Sequence, residues 1–264
     1  MSTFLQNLNS LNPGKDQIAL FWLGQAGFVI KTSSGELIGI DPYLSDYVQR
    51  TIPEVGLGFK RLMPAPCRAE ELRLDYLLIS HEHGDHYDQD SIGDLMRSKN
   101  LKILTTPTVV KAMEEEGRDT SQVYALYPGD TKAFEGFSVL GVDCDHGELS
   151  KDALGFILDF GFTSVYYSGD TALNMDRLKG AVERQPDVAI LPINGAFGNL
   201  DGEQAARLAG ALRSRYCVPC HFWTFPLHLG NPQQIIDSLP KYAEDCELCL
   251  FQQGEGMLFP PKSL

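Results

Sequence analysis

The chain has 264 residues, of which 43% are hydrophobic and 22% are charged. This composition provides enough apolar material for a substantial core, which excludes a disordered chain, and the length allows one large domain or two small ones. The formal net charge of −13 repels nucleic-acid phosphates and anionic membranes, so we expect neither as a partner. The sequence has no apolar run of about 18 residues, no basic leader and only six cysteines. We therefore expect a cytoplasmic protein with reduced thiols.

The predicted strands come in adjacent groups that helices interrupt. Short apolar or alternating runs, bounded by glycine, proline and serine, predict strands over Ile18–Leu23, Phe28–Thr32, Leu37–Ile40, Tyr76–Ser80, Val123–Leu126, Phe137–Asp143, Leu154–Phe160, Thr163–Tyr167, Val188–Leu191, Tyr216–Pro219, Glu247–Phe251 and Met257–Phe259. Gly161 predicts a tight hairpin between two of these strands. Helical spacing predicts helices over Ile92–Met96, Val109–Glu116 and Gly202–Leu212. The stretch from Pro42 to Pro66 has no period and is expected to be a loop.

The order of these elements indicates the fold class. Two strand-rich halves, each ending in helices, favour an α/β protein of the α+β type, in which two sheets pack face to face with helices outside. No low-complexity segment or linker divides the chain. We therefore expect a single domain over residues 1–264.

The segment after the predicted strand Tyr76–Ser80 is dense in metal-binding side chains. It reads Ser80-His81-Glu82-His83-Gly84-Asp85-His86-Tyr87-Asp88. Residues two apart on an extended loop project to the same side, so His81 and His83 can bind one cation, while Asp85 and His86 turn toward a second. Neutral imidazole and carboxylate suit Zn²⁺, Mn²⁺ or Fe²⁺. The alternative is a solvated polar loop that holds its histidines by chance.

Three further candidate ligands follow other predicted strands. His146 comes shortly after Phe137–Asp143, Asp170 follows the next hairpin in a Ser-Gly-Asp turn, and His221 follows Tyr216–Pro219. Each of these residues alone could be an ordinary polar residue at a strand end or in a turn. Their order and placement, together with the first loop, predict a site for two metal ions.

This set of residues resembles the metallo-β-lactamase superfamily. The motif His81-x-His83-x-Asp85-His86 carries the resemblance, followed by His146, Asp170 and His221. Four other segments are similar to those of L-ascorbate-6-phosphate lactonases and related metal-dependent hydrolases: Trp22–Phe28, Ile40–Asp46, Pro192–Gly195 and Gly198–Ala205. The resemblance extends from about Ile18 to Phe259.

The resemblance implies a four-layer αββα sandwich with a dinuclear site at one edge of the sheets. It implies one metal ion on His81, His83 and His146. It implies a second ion on Asp85, His86 and His221, with Asp170 bridging both. The cofactors would then be two divalent ions per chain, Mn²⁺ or Zn²⁺.

The implied activity is hydrolysis by a metal-bridging hydroxide, because two cations that share a water lower its pKa toward neutrality. The expected substrate is a small molecule such as a sugar-acid lactone. We expect Asp85 to be the catalytic residue, as an acceptor for the hydroxide as well as a ligand. Asp41, at the end of an early strand, is expected to fix the ligand loop by hydrogen bonds. A simple strand-end turn with Pro42 is the alternative for Asp41.

Three residues are candidates for binding the substrate. Arg50 lies in a basic island, residues 47–69, and is expected to contact a phosphate or carboxylate of the substrate; a solvated surface is the alternative. Asn194 is expected to form a polar wall of the pocket. His228 is expected either to protonate a leaving group or to be an exposed loop histidine.

The cysteine pairs allow other interpretations. Cys217-x-x-Cys220-His221 matches a c-type haem attachment pattern, which we do not adopt because that attachment requires export. Alternatively, Cys217 and Cys220 could form a four-cysteine zinc site together with Cys246 and Cys249. Residues three apart on a strand point to opposite faces, so we favour four small core residues.

Two other activities stay open on the same scaffold. A phosphodiesterase or ribonuclease is one, although the net charge of −13 disfavours RNA. A di-iron redox protein is the other, although such relatives carry a carboxylate where this chain has His83. The sequence leaves open whether the chain forms a homo-oligomer.

Overall fold

The computed structural model describes residues 2–261. The predicted domain, residues 1–264, reaches beyond these bounds at both ends. Contacts between Cα atoms divide the chain into two compact units, each of which contains one seven-stranded sheet. Of the described residues, the first unit comprises 2–125, Thr224–Leu227 and 251–261, and the second comprises Leu126–Trp223 and His228–Leu250. Whether the two units fold as a single domain stays a prediction.

The sheet of the first unit contains both antiparallel and parallel strands. Its strands are β1 (Ile18–Gly24), β2 (Gly27–Lys31), β3 (Leu37–Ile40), β4 (Tyr76–Ile79), β5 (Lys102–Thr105), β6 (Val123–Ala125) and β14 (Gly256–Phe259), in the order β14-β1-β2-β3-β4-β5-β6. Strands β14 to β3 pair antiparallel, and β3 to β6 pair parallel. Both β1 and β4 are buried along their whole length, which explains their continuous apolar sequences.

The described part of the first unit contains four α-helices: α1 (Thr3–Ser10), α2 (Tyr47–Thr51), α3 (Ile92–Leu95) and α4 (Pro107–Glu115). Helix α1 begins where the Ser2 side chain accepts a hydrogen bond from the backbone N–H of Leu5, and it buries Phe4 and Leu8 in the core. Thr106 caps α4 in the same way, and the proline at the first position of α4 favours a helix start.

The sheet of the second unit has the same mixed character. Its strands are β7 (Thr131–Phe134), β8 (Phe137–Asp143), β9 (Leu154–Asp159), β10 (Ser164–Tyr167), β11 (Val188–Pro192), β12 (Tyr216–Cys220) and β13 (Glu247–Leu248), in the order β13-β12-β11-β10-β9-β8-β7. Strands β7 to β10 pair antiparallel, and β10 to β13 pair parallel. The predicted hairpin at Gly161 is confirmed by the antiparallel pairing of β9 with β10.

Three α-helices belong to the second unit: α5 (Lys179–Val182), α6 (Gly202–Leu212) and α7 (Pro232–Tyr242). Asp201 and Gln204 form a reciprocal capping box at the start of α6. A Cβ atom at Gly210 would overlap the carbonyl oxygen of Tyr242. Helices α6 and α7 can therefore approach this closely only because residue 210 is glycine.

The predicted fold class is confirmed: the chain is a mixed α/β protein with two sheets flanked by helices. The predicted strands are present, with ends that differ by a few residues. The sequence did not predict β5, β7, α1, α5 or α7, and the expected loop after Pro42 contains α2 and a short 3₁₀ helix, Pro53–Val55. None of the helices in the described part of the chain has both the length and the hydropathy of a membrane-spanning segment.

Candidate metal centre

The first cluster of candidate ligands lies where β3 and β4 end. These strands are parallel neighbours, so their carboxyl ends meet at one edge of the sheet. Asp41 follows β3 directly, and the loop with His81 and His86 follows β4. The potential ligand atoms of these three side chains lie within 4.8 Å of one another, and all three side chains are buried. This group alone could hold or orient a metal ion.

Asp41 acts as a hydrogen-bond hub in this cluster. Its Oδ1 accepts a bond from the backbone N–H of Ser80 at 2.8 Å, and its Oδ2 accepts one from the Ser80 hydroxyl. The Nδ1–H of His86 donates to the same Oδ2 at 2.7 Å. The backbone of Asp41 has φ +42°, a left-handed conformation that non-glycine residues rarely adopt. Asp41 thus fixes the imidazole so that its Nε2 carries the lone pair, as carboxylates do behind metal-binding histidines.

The other side chains of the loop converge on the same place. His81 Nε2 lies 3.0 Å from His83 Nδ1, and the ring centroids of His81 and His86 are 4.0 Å apart. Asp85 Oδ2 is 3.9 Å from His86 Nε2. The four ligands predicted from this loop are therefore close neighbours within the first unit.

The sequence analysis missed two residues that hold this loop. The buried Gln25 donates from Nε2 to Asp85 Oδ2 at 2.8 Å, and it has φ +50° in the turn between β1 and β2. The buried Asp88 binds the segment after β3: its Oδ2 accepts bonds from the backbone N–H groups of Leu44 and Ser45 at 2.9 and 3.0 Å. Position within the Trp22–Phe28 and metal-loop motifs was the only signal in the sequence for either role.

The second cluster lies in the second unit and centres on Asp170. His146 Nε2 is 3.8 Å from Asp170 Oδ2, and His221 Nε2 is 3.3 Å from Asp170 Oδ1. All three side chains are buried. His221 follows β12 directly, with φ +58°. Asp170 lies shortly after β10, which is separated from β12 in the same sheet by β11, and β11 pairs parallel with both strands. One carboxylate thus faces two imidazoles, one with each oxygen.

Asn194 and His228 extend the second cluster. Asn194 Nδ2 lies 3.4 Å from His228 Nδ1, and the ring of His228 is 5.1 Å from that of His221. Both residues are buried, so the alternative of an exposed loop histidine at His228 is wrong. The structure therefore brings two of the three predicted substrate-binding residues next to a predicted metal ligand.

Arg50 has a different environment. Its side chain is 60% exposed on α2 and forms an ion pair with Asp90, with 2.6 Å between Arg50 Nη2 and Asp90 Oδ1. Arg61, from the same basic island, donates to the carbonyl of Tyr43 at 2.9 Å and lies over the Tyr43 ring. The basic island is therefore partly structural, and a role for Arg50 in substrate binding stays a prediction.

The cysteines have the environment of core residues. Cys217, Cys220 and Cys249 are buried, and burial raises the pKa of the Cys249 thiol to about 12 and that of Cys246 to about 11. Within the described part of the chain, no group of three or more potential metal ligands includes a cysteine. These observations favour small core thiols over a four-cysteine zinc site.

Comparison with known families identifies the group to which the chain belongs. Residues 19–221 match the model of the beta-lactamase superfamily domain. The chain belongs to the metallo-β-lactamase superfamily. This match covers most of the chain and includes every predicted metal ligand from His81 to His221.

Similar proteins show to which family within the superfamily the chain belongs. A UPF0173 metal-dependent hydrolase of Anaeromyxobacter sp. (strain K) is 30% identical over 257 residues, which cover 88% of this chain and 83% of the relative. Another, from Herpetosiphon aurantiacus, is 28% identical over 249 residues, which cover 90% of this chain and 97% of the relative. The chain therefore belongs to the family of UPF0173 metal-dependent hydrolases.

A solved structure has the same fold. Igni18, described as a novel metallo hydrolase from the archaeon Ignicoccus hospitalis, superposes with a TM-score of 0.71 at 22% identity. The match covers 93% of this chain and 100% of Igni18. The predicted metallo-β-lactamase fold is thereby confirmed.

Proposed function

We propose that this protein binds two divalent metal ions, Mn²⁺ or Zn²⁺, and hydrolyses an uncharged or anionic small molecule such as a sugar-acid lactone. The single observation that carries the proposal is the position of Asp170, whose two oxygens face His146 and His221 at 3.8 and 3.3 Å. A buried carboxylate between two imidazoles suits a bridging ligand, because it can offer one oxygen to each of two cations.

The ligand assignment follows the order of the motifs. We assign His81, His83 and His146 to one ion, Asp85, His86 and His221 to the other, and Asp170 to both. The donor chemistry fits: neutral imidazoles and carboxylates suit Zn²⁺ and Mn²⁺. The hydrogen bond from His86 Nδ1–H to Asp41 supports the assignment, since it leaves His86 Nε2 as the ligand atom.

When bound, the two ions would supply an activated water and stabilise negative charge on the carbonyl oxygen. Asp85 accepts a hydrogen bond from the attacking water, and the amide of Gln25 holds the Asp85 carboxylate in place at 2.8 Å. Water adds to the lactone carbonyl carbon, the ring C–O bond breaks, and the proton from water ends on the new hydroxyl group. His228 Nε2–H donates a hydrogen bond to that leaving oxygen, because Asn194 Nδ2 faces Nδ1 of the same ring.

A hydrolysis panel tests this function. The chain, loaded with Mn²⁺ or Zn²⁺, is assayed on lactones, phosphodiesters and thioesters, together with Asp170→Asn and the control Asp237→Asn on the exposed face of α7. We expect lactone hydrolysis that Asp170→Asn lowers at least about a hundredfold, whereas Asp237→Asn retains it. Turnover of phosphodiesters alone, or full activity in Asp170→Asn, would contradict the proposal.

A further inference from the structure

The loop between β11 and α6 contains two buried asparagines whose side-chain amides are not fully hydrogen-bonded within the described part of the protein. Asn194 and Asn199 are only 7% and 6% exposed. Among the described residues, no hydrogen-bond partner is found for Oδ1 of Asn194 or for Oδ1 and Nδ2 of Asn199. Buried polar groups are almost always hydrogen-bonded, because leaving them unpaired costs stability. Two such amides in one loop therefore point to a ligand that completes them.

The loop itself is held in one conformation. The backbone N–H of Gly195 donates to the carbonyl of Leu200 at 3.0 Å. The backbone N–H of Asn199 donates to the carbonyl of Ala196, also at 3.0 Å. The N–H of Leu200 donates to the carbonyl of Thr171, next to Asp170 in sequence, at 2.9 Å. These bonds fasten the loop to the turn that carries the proposed bridging carboxylate.

Phe197 adds an apolar surface to the same loop. Its side chain is 51% exposed, and its backbone has φ +54°, in the left-handed region. The Phe197 ring meets the ring of His228 edge-to-face, with centroids 5.4 Å apart. Asn194 also contacts His228, so amide and aromatic groups border the same histidine.

We propose that Asn194, Asn199 and Phe197 form a recognition site for the non-reacting part of an uncharged substrate. The two amides bind hydroxyl or carbonyl groups, because an amide both donates and accepts but carries no charge. Phe197 packs against an adjoining apolar group. The inference rests on the proposed function, because it is His228 and His221 that place these residues beside the hydrolytic centre. It makes the substrate a neutral, partly apolar ester or lactone rather than a phosphate or carboxylate, which an arginine would bind.

The test measures binding separately from hydrolysis. The probes are a hydroxylated γ-lactone with an alkyl chain, the same lactone with a terminal carboxylate, and a hydroxylated cyclopentanone with the alkyl chain, which cannot be hydrolysed. Calorimetry gives Kd for the cyclopentanone, and initial rates give kcat and KM for both lactones. The variants are Asn199→Leu and Phe197→Ala. Their matched controls are Asn100→Leu, in an exposed turn, and Tyr127→Ala, at a 59% exposed ring.

We expect kcat/KM for the neutral lactone to be about tenfold higher than kcat/KM for the lactone with the terminal carboxylate. Asn199→Leu and Phe197→Ala should each weaken cyclopentanone binding about fivefold to tenfold and raise KM more than they lower kcat. Asn199→Leu should leave Tm unchanged or raise it, because leucine leaves no unpaired polar atoms. Neither control should change Kd.

Other outcomes overturn the inference. The inference is wrong if kcat/KM for the carboxylate-bearing lactone equals or exceeds that for the neutral lactone. It is also wrong if Phe197→Ala leaves Kd for the cyclopentanone unchanged, or if the wild-type chain does not bind the cyclopentanone. A lower Tm in Asn199→Leu would show that Asn199 is structural. Cyclopentanone binding that responds to the variants, without hydrolysis of either lactone, would retain the recognition site and reject the proposed function instead.

Discussion

The carboxylate of Asp41 lies 2.7 Å from Nδ1 of His86, and both side chains are buried. This contact joins the end of β3 to the loop after β4, and Asp41 also accepts two hydrogen bonds from Ser80, the first residue of that loop. The contact therefore sets both the path of the loop and the orientation of one proposed metal ligand.

We expect Asp41→Asn to weaken binding of the ion assigned to His86. An amide in place of the carboxylate no longer polarises the imidazole and can present its NH₂ group to Nδ1. Loss of such a partner lowers metal affinity by about 10- to 100-fold. Competition with a chelator measures this affinity, with Asp237→Asn as the control. Affinity equal to wild type would leave Asp41 as a strand-end turn residue.

Asp88 and Asp90 form a matched pair for a stability measurement. Asp88 is buried and accepts bonds from three backbone N–H groups, those of Leu44, Ser45 and Asp90. It also accepts bonds from the hydroxyls of Ser45 and Ser91, both at 2.6 Å. Asp90 is partly exposed and pairs with Arg50 at the surface. Asp88→Ala should lower the free energy of unfolding by about 2–4 kcal/mol, whereas Asp90→Ala should change it by less than about 1 kcal/mol. Urea denaturation measures both. Similar losses would mean that Asp88 does not organise the loop.

Arg50 provides a test of the predicted anion contact. In the structure its guanidinium is paired with Asp90 and largely exposed. If Arg50 binds an anionic group, Arg50→Ala should raise KM for a carboxylate-bearing lactone about tenfold or more and leave the neutral lactone unchanged. If the ion pair is its only role, both substrates should change less than about threefold. Initial rates on the two lactones decide between these roles.

The thiols should be unreactive in the folded protein. Burial raises the pKa of Cys67 and of Cys249 to about 12, so neither forms much thiolate at pH 8. Iodoacetamide at pH 8, followed by mass spectrometry, should label at most the half-buried Cys246, and all six cysteines after unfolding. Rapid labelling of Cys217 or Cys249 in the native chain would contradict core burial.

The same shifts predict how stability depends on pH. A thiol whose folded pKa is raised contributes stability that is fully present below its unfolded pKa, here 9.0. That contribution is lost as the pH rises toward about 12. The free energy of unfolding should therefore fall between these two values. Replacing Cys67 and Cys249 with alanine should make the fall shallower, and an unchanged slope would assign it to other groups.

The sequence predicted features that depend on local pattern. The strand that ends at Ile79 and the hairpin at Gly161 are encoded in short segments, and the structure has both. The histidine and aspartate side chains that follow this strand are encoded equally locally, and their role as metal ligands stays a prediction. Strand β7 was missed because it is an edge strand with alternate residues exposed and no apolar run. Helix α7 was missed because it has a mostly polar sequence with Pro240 inside it.

Residues whose role depends on distant partners could not be predicted in the same way. Gln25 contacts Asp85, sixty positions away in sequence, and Asp88 contacts Leu44, forty-four positions away. Arg50 was predicted from local charge and from its position just after the segment Asp41–Tyr47, whereas its partner Asp90 lies forty positions away. Asn199 lies in the segment Gly198–Ala205, which resembles the lactonases, but nothing local indicated a role for its side chain, because an asparagine beside a glycine is an ordinary turn residue. Only its burial in the folded chain sets it apart.

Metal stoichiometry tests the central claim most directly. The purified chain is stripped with a chelator, dialysed against excess Mn²⁺ or Zn²⁺, and analysed by elemental mass spectrometry beside Asp170→Asn. The dinuclear account predicts about two equivalents per chain and a lower value in Asp170→Asn, whose amide cannot offset the charge of two cations. A wild-type value that never exceeds one equivalent under metal excess would contradict it.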